Sequence, residues 1–147
     1  MAAANTYAGE TITLLAETNV ANTYAALCAI DGKSLTLSKQ TSSTVIPDCD
    51  NPADARWTRS RVQSFSATIN GTGLAARENI TRLRELFLRT TANKWRVVIP
   101  GTGANGGGTW EGWFHLNSLE IGTEYGDEAT VQIALVSDGV VFWTAAA

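Results

Sequence analysis

Apolar residues in this chain recur at every second position in run after run, and at helical spacing in one segment only. Alternation of period two marks a strand with one buried face, so the pattern restricts the chain to a mainly β fold. The clearest run is 33–39, where Leu35 and Leu37 share a face between Ser34, Thr36 and Ser38. Residues 61–70 place Phe65, Ala67 and Ile69 inward, and Trp95, Val97 and Ile99 alternate up to Pro100. In 110–121 the inward candidates are Trp110, Phe114 and Leu116, then Leu119 and Ile121. The change of phase near Ser118 predicts a bulge or bend. Val131, Ile133 and Leu135 mark another strand, and Ser137, Asp138 and Gly139 a turn into a last one at 140–143. Earlier, the apolar run 24–30 ends at Asp31 and Gly32, a short hairpin signal because both positions tolerate positive φ.

The helical exception is 74–91. Ala76, Ile80, Leu83 and Phe87 form a single apolar stripe, and Glu78 with Arg82 and Glu85 with Arg89 sit four apart in the favourable order. Asn93 is placed to close this helix in the left-handed conformation. The sum is about seven strands and one helix in a single domain, 1–147: a mainly β (α+β) sandwich or barrel with one flanking helix. Two stretches fall outside that frame. Residues 1–20, rich in Ala, Asn and Thr, are expected to form an arm with one strand. Residues 40–60, rich in Ser, Thr, Asp and Pro, are expected to form a long loop, and loops of that length tend to be functional.

No segment reaches the apolar length of a membrane helix, and the first ten residues lack the basic start and apolar centre of a secretory signal. Cys28 and Cys49 have neither CxxC spacing nor a neighbouring His, so they read as thiols rather than a bridge. The net charge of −3 hides three blocks. Residues 1–55 carry two Lys against six acids (−4), residues 56–96 nine cations against two acids (+7), and residues 97–147 six acids and no cation (−6). Such blocks serve nucleic-acid binding or charge-matched contacts between copies of one protein, and both readings stay open here.

Candidate chemistry is sparse. Residues 101–106 match GxGxxG, but the continuation leads into a strand, where a dinucleotide site requires a helix N-terminus. Asp48, Asp50 and Asp54 cluster, yet a calcium loop would need Gly and Glu where Ala53 and Arg59 stand. His115, the sole histidine, has no nucleophile or metal-ligand partner in the sequence. Neither an enzyme nor a cofactor or metal site is expected. The stretch Arg56, Trp57, Thr58, Arg59, Ser60, Arg61 interleaves cations with an aromatic, which suits either nucleic acid or a protein interface.

Taken in order, these pieces resemble the siphophage-type major tail proteins, including the tail tube proteins of gene transfer agents. The resemblance runs from about residue 24 onward. It is carried by 27–37, by Trp57 ahead of a strand, and by 65–73 ending in glycine before the helix. It continues in 97–100, in Glu111, Gly112, Trp113 and Phe114, in 118–120, in 126–130 and in 133–135. It implies a structural subunit of a tail tube, in which hexameric rings stack into a channel for DNA delivery. The implied localisation is a virion tail, assembled in the host bacterial cytoplasm. Implied partners are other copies of the chain, a tape measure protein and tail-end proteins, with DNA passing without specific binding and no membrane. The family uses its terminal arms and a long loop to reach neighbours, here 1–20 and 40–60. Candidate inter-subunit contacts are Arg56, Trp57, Arg59, Arg61, Asp48 and Asp50. Two rivals remain: an oligonucleotide-binding β-barrel and a glycan-binding module of a virion.

Overall fold

A computed structural model describes residues 12–18, 23–27, 30–123, 126 and 128–146. Its elements run β1 (Thr13–Glu17), β2 (Tyr24–Ala26), β3 (Ile30–Ile46), β4 (Trp57–Leu74), α1 (Arg77–Leu88), β5 (Asn93–Ile99), β6 (Gly108–Gly122) and β7 (Thr130–Ala145). The seven strands hydrogen-bond in the order β2-β1-β5-β6-β7-β4-β3, antiparallel at every step. The sheet rolls over on itself. Lys33 of β3 donates through Nζ to the carbonyl oxygen of Ile12, just before β1, at 2.9 Å. Ile12 and Leu14 share a cavity with Leu35, Leu37 and Ile69, so the two ends of the sheet become opposed layers. The expected mainly β fold, with seven strands and a flanking helix, is the one found.

Where alternation is clean, the core follows it. Ala67 and Ile69, Trp95 and Val97, Phe114 and Leu116, and Val131, Ile133 and Leu135 are all buried in one cluster with Leu14 and Leu83. Each large side chain withdrawn from water contributes roughly 1.5–3 kcal/mol, which is what holds the rolled sheet closed. The phase change near Ser118 is a bulge, with the β6–β7 register slipping between Leu116 and Ser118.

Several local expectations are corrected. Asp31 and Gly32 make no hairpin turn; β3 begins at Ile30 and passes through them with a register shift. The reason for glycine there is closeness, since a Cβ on Gly32 would strike the Thr72 hydroxyl across the strand pair. Ser137, Asp138 and Gly139 likewise make no turn between strands. Ser137 pairs with Phe114, while Asp138, Gly139 and Val140 form a bulge within β7 opposite Trp113, and Gly139 supplies its positive φ of 94°. Asn93 is no left-handed cap but the first residue of β5, buried, donating to the Glu17 carbonyl at 3.4 Å and accepting from Arg89 at 3.2 Å. Helix α1 is shorter than 74–91 and turned relative to the expected stripe: Asn79, Leu83 and Leu86 are buried, while Phe87 is exposed. Leu74 still belongs to β4 and Ala76 is the cap residue, so strand pairing claims the first expected turn.

The largest correction concerns 40–60. Only 47–56 is a connection; the rest is strand, because β3 and β4 continue side by side to Ile46 and Trp57. Ser and Thr read as loop formers in isolation, but here hydroxyls face each other across the ladder. Ser38 and Ser66 lie 2.7 Å apart and Ser43 and Ser60 3.5 Å apart, oxygen to oxygen. Pairing overrides local propensity. Phe65, expected inward, stands 73% exposed because this part of β4 runs beyond the core. The amino-terminal arm falls mostly, and Cys28 wholly, outside the described residues.

Candidate interaction surface

Strand β4 pairs with β7 only from Thr68 to Leu74. Ahead of that point it has, among the described residues, β3 alone, and every residue of 57–66 is exposed. The result is a two-stranded ribbon of about ten residues per strand, roughly 30 Å long. Such a hairpin is at best marginally stable in water unless something packs on it.

Opposed residues of an antiparallel pair present side chains to the same face. Trp57 opposite Ile46, Arg59 opposite Thr44 and Arg61 opposite Ser42 therefore share one face of the ribbon. Trp57 is 86% exposed. Arg56 precedes the strand, and Asp48 and Asp50 lie in the connection at the tip. There the Asp48 carboxylate accepts from the main-chain amides of Asp50 and Asn51, at 2.9 and 3.2 Å, and so shapes the turn. Among the described residues, none of Arg56, Arg59 and Arg61 pairs with a carboxylate. The structure thus gathers all six candidate residues on one projection, without joining the cations to the acids. Cys49, also at the tip, is a free exposed thiol.

At its root, the ribbon's other face continues the core as an open groove. Leu37, Phe65, Ala67, Trp110, Val140 and Val141 line a cavity of about 710 Å³ whose one charged wall residue, among the described residues, is Lys39. Lys39 Nζ sits 5.8 Å from the centre of the Phe65 ring. A smaller cavity of about 300 Å³ shares Leu37 and Trp110 with it, so the trough reaches the space between β1 and β3. Alternation did not reveal this groove, because its walls come from strands far apart in the chain.

A polar clasp lies across β2, β5 and β6. Arg96 Nε meets Glu111 at 3.1 Å, Tyr24 donates to the same carboxylate at 3.0 Å, and the guanidinium stacks 3.8 Å over the Tyr24 ring. Burial, then the Glu111 hydrogen bond and charge, push the Tyr24 phenol up to about 12. His115 pairs with Asp138 at 3.2 Å on an exposed surface. Among the described residues there is no group of three or more His, Cys, Asp or Glu side chains placed to hold a metal ion. The 101–108 segment connects β5 to β6 through a single 3-10 turn, Gly103–Asn105, and enters a strand.

A projecting ribbon and an open groove on a small β domain suit self-association, and the comparisons with known proteins bear on that directly. The phage tail tube protein family model matches residues 6–142. The chain belongs to that family. It is therefore a structural tail tube subunit rather than an enzyme, and its place is the tail of a virion or phage-like particle. Membership also decides against the oligonucleotide-binding barrel and the glycan-binding module. Among solved structures, the chain is similar to the tail of an empty gene transfer agent particle refined with C6 symmetry. The TM-score there is 0.81 at 17% identity, over 95% of this chain and 100% of that one. It is similar to the SPP1 tail tube (TM-score 0.68, 13% identity, 95% and 80% covered). It is also similar to a chain of the sheath–tube complex of an extracellular contractile injection system (0.58, 12%, 95% and 92%). At these identities the likeness is one of fold. No curated protein matches the chain in sequence. Among the described residues, no helix is long and apolar enough to cross a membrane.

Proposed function

We propose that this tail tube subunit assembles as hexameric rings that stack into a tube for DNA delivery, with the β3–β4 ribbon reaching an adjacent subunit. The observation that carries this reading is the ribbon itself. Its ten β4 residues are all exposed, and a ladder of that kind requires a partner surface to be held in place. The C6 symmetry of the similar gene transfer agent tail supports six copies per ring. Contacts that pair different faces of one subunit generate rings and open stacks, and the charge blocks of −4, +7 and −6 supply unlike faces.

Within that assembly Arg56, Arg59 and Arg61 meet carboxylates of a neighbouring copy, with Trp57 as the apolar anchor beside them. Asp48 and Asp50 travel with them at the tip, and residues 1–20 serve as a second inter-subunit arm. A tape measure protein inside the tube and tail-end proteins at its termini are the further partners. DNA passes without specific binding, so the bore is neutral to acidic; an Arg-lined bore would contradict this. The test is negative-stain microscopy of the concentrated protein. Tubes of uniform width with six-fold end views are expected, and a chain that stays monomeric under every crowded condition overturns the reading. Reversing Arg56, Arg59 and Arg61 to Glu is expected to abolish tubes, and intact assembly would refute their role.

A further inference from the structure

We propose that the ribbon tip of one subunit seats in the apolar groove at the ribbon root of another, with Trp57 and Ile46 as the inserted knob. The proposal rests on the tube reading above and names the receiving surface. Two apolar features lie at opposite ends of the same ribbon. At the tip, Ile46 and Trp57 are cross-strand neighbours on one face, both exposed. At the root, Leu37, Phe65 and Val140 stand exposed around a concavity that Trp110 and Val141 floor. The ladder from Trp57 opposite Ile46 to Lys39 opposite Phe65 runs over eight pairs and separates them by over about 20 Å. The extended ladder holds the tip away from its own root, so knob and groove meet only between copies. That pairing of unlike patches is heterologous, the kind of contact that propagates along a stack.

Charge fixes the orientation. Among the described residues, the groove's one charged wall residue is Lys39. Beyond the knob, the tip carries Asp48, Asp50 and Asp54, and no cation before Arg56. With the knob seated, those acids face Lys39 and Arg59 and Arg61 trail away along the ribbon. The inserted aromatic is the side-chain type that dominates interface energetics, and the groove offers it a mostly apolar lining.

The native thiol at the tip gives the test. In a Cys28→Ser background, Val140→Cys places a second thiol on the groove, and tubes are treated with a short bismaleimide. A ladder of covalent oligomers is expected, absent when Cys49→Ser is added. In parallel, Lys39→Glu is expected to raise the concentration needed for assembly about fivefold and Asp50→Lys to restore it. Trp57→Ala is expected to raise it about thirtyfold. Tubes of the V140C chain in which Cys49 never links to the introduced thiol overturn the docking while leaving the tube reading intact. A link from V140C to a cysteine placed at Tyr7 would show the amino-terminal stretch in the groove, which also overturns it. Should V140C fail to assemble, the Lys39 and Asp50 exchange decides alone, and absence of rescue overturns the docking. A wild-type chain that forms no tube overturns both.

Discussion

Trp95 and Trp57 stand in strands of the same sheet and live in opposite worlds: one is 1% exposed, the other 86%. The contrast extends to their surroundings. Around Trp95 the sheet is paired on both sides and covered by an opposing layer. Around Trp57 the ladder has, among the described residues, two strands and no cover. One half of the molecule is stabilised by what it buries, and the other leaves its side chains in solvent. Within β4 the boundary falls between Ser66 and Ala67, so a single strand belongs to both regimes.

That contrast is open to attack by mutation. The largest effect belongs to Trp95→Ala, expected to lower the unfolding free energy of the monomer by about 3–5 kcal/mol in chemical denaturation. Trp57→Ala should shift the same quantity by no more than about 0.5 kcal/mol. Comparable losses at the two sites would erase the distinction. Next, amides of 57–66 in the free subunit should exchange with solvent far faster than those of 67–73, and become protected in the tube. Uniform protection before assembly would mean that the ribbon is stable unaided.

Smaller effects probe the packed half. Tyr24→Phe removes the hydrogen bond to Glu111 and is expected to cost about 0.5–1.5 kcal/mol. Its pH signature has a definite sign. The folded phenol is held up to about 12 against an ordinary value of 10.0, so the protonated form is favoured by folding. Its contribution is complete below pH 10 and is lost as pH rises through about 12, a decline absent from Tyr24→Phe. Denaturation curves at pH 9 and 11 check this. Smallest of all, Asp138→Asn breaks an exposed pair with His115 and should change stability by less than about 1 kcal/mol.

Alternation made the packed half legible, because burial on one face writes a period of two into Ala67 and Ile69, Trp95 and Val97, and Val131, Ile133 and Leu135. The bulge at Ser118 was legible for the same reason, as a break in that period. The two signals at Asp31 with Gly32 and at 137–139 misled, since a Gly that permits a turn equally permits a bulge, and the partner strand decides which. The helix face was misjudged because its buried line includes a polar residue, Asn79, while apolar Phe87 is exposed. Extent was misjudged in the ribbon, whose hydroxyl-rich strands carry no apolar alternation to mark them. The Arg and Trp cluster at 56–61 was conspicuous from composition. The groove was not, since no local pattern announces a surface assembled from four strands.

A projection without a core of its own has an adjustable reach. Two residues added to each arm of the ribbon would extend it by about 7 Å and leave Trp57 and Arg59 on the same side. One residue added to each arm would turn them to the other. The height of the ribbon is thereby open to change in steps of two, while the folded base that carries it goes untouched.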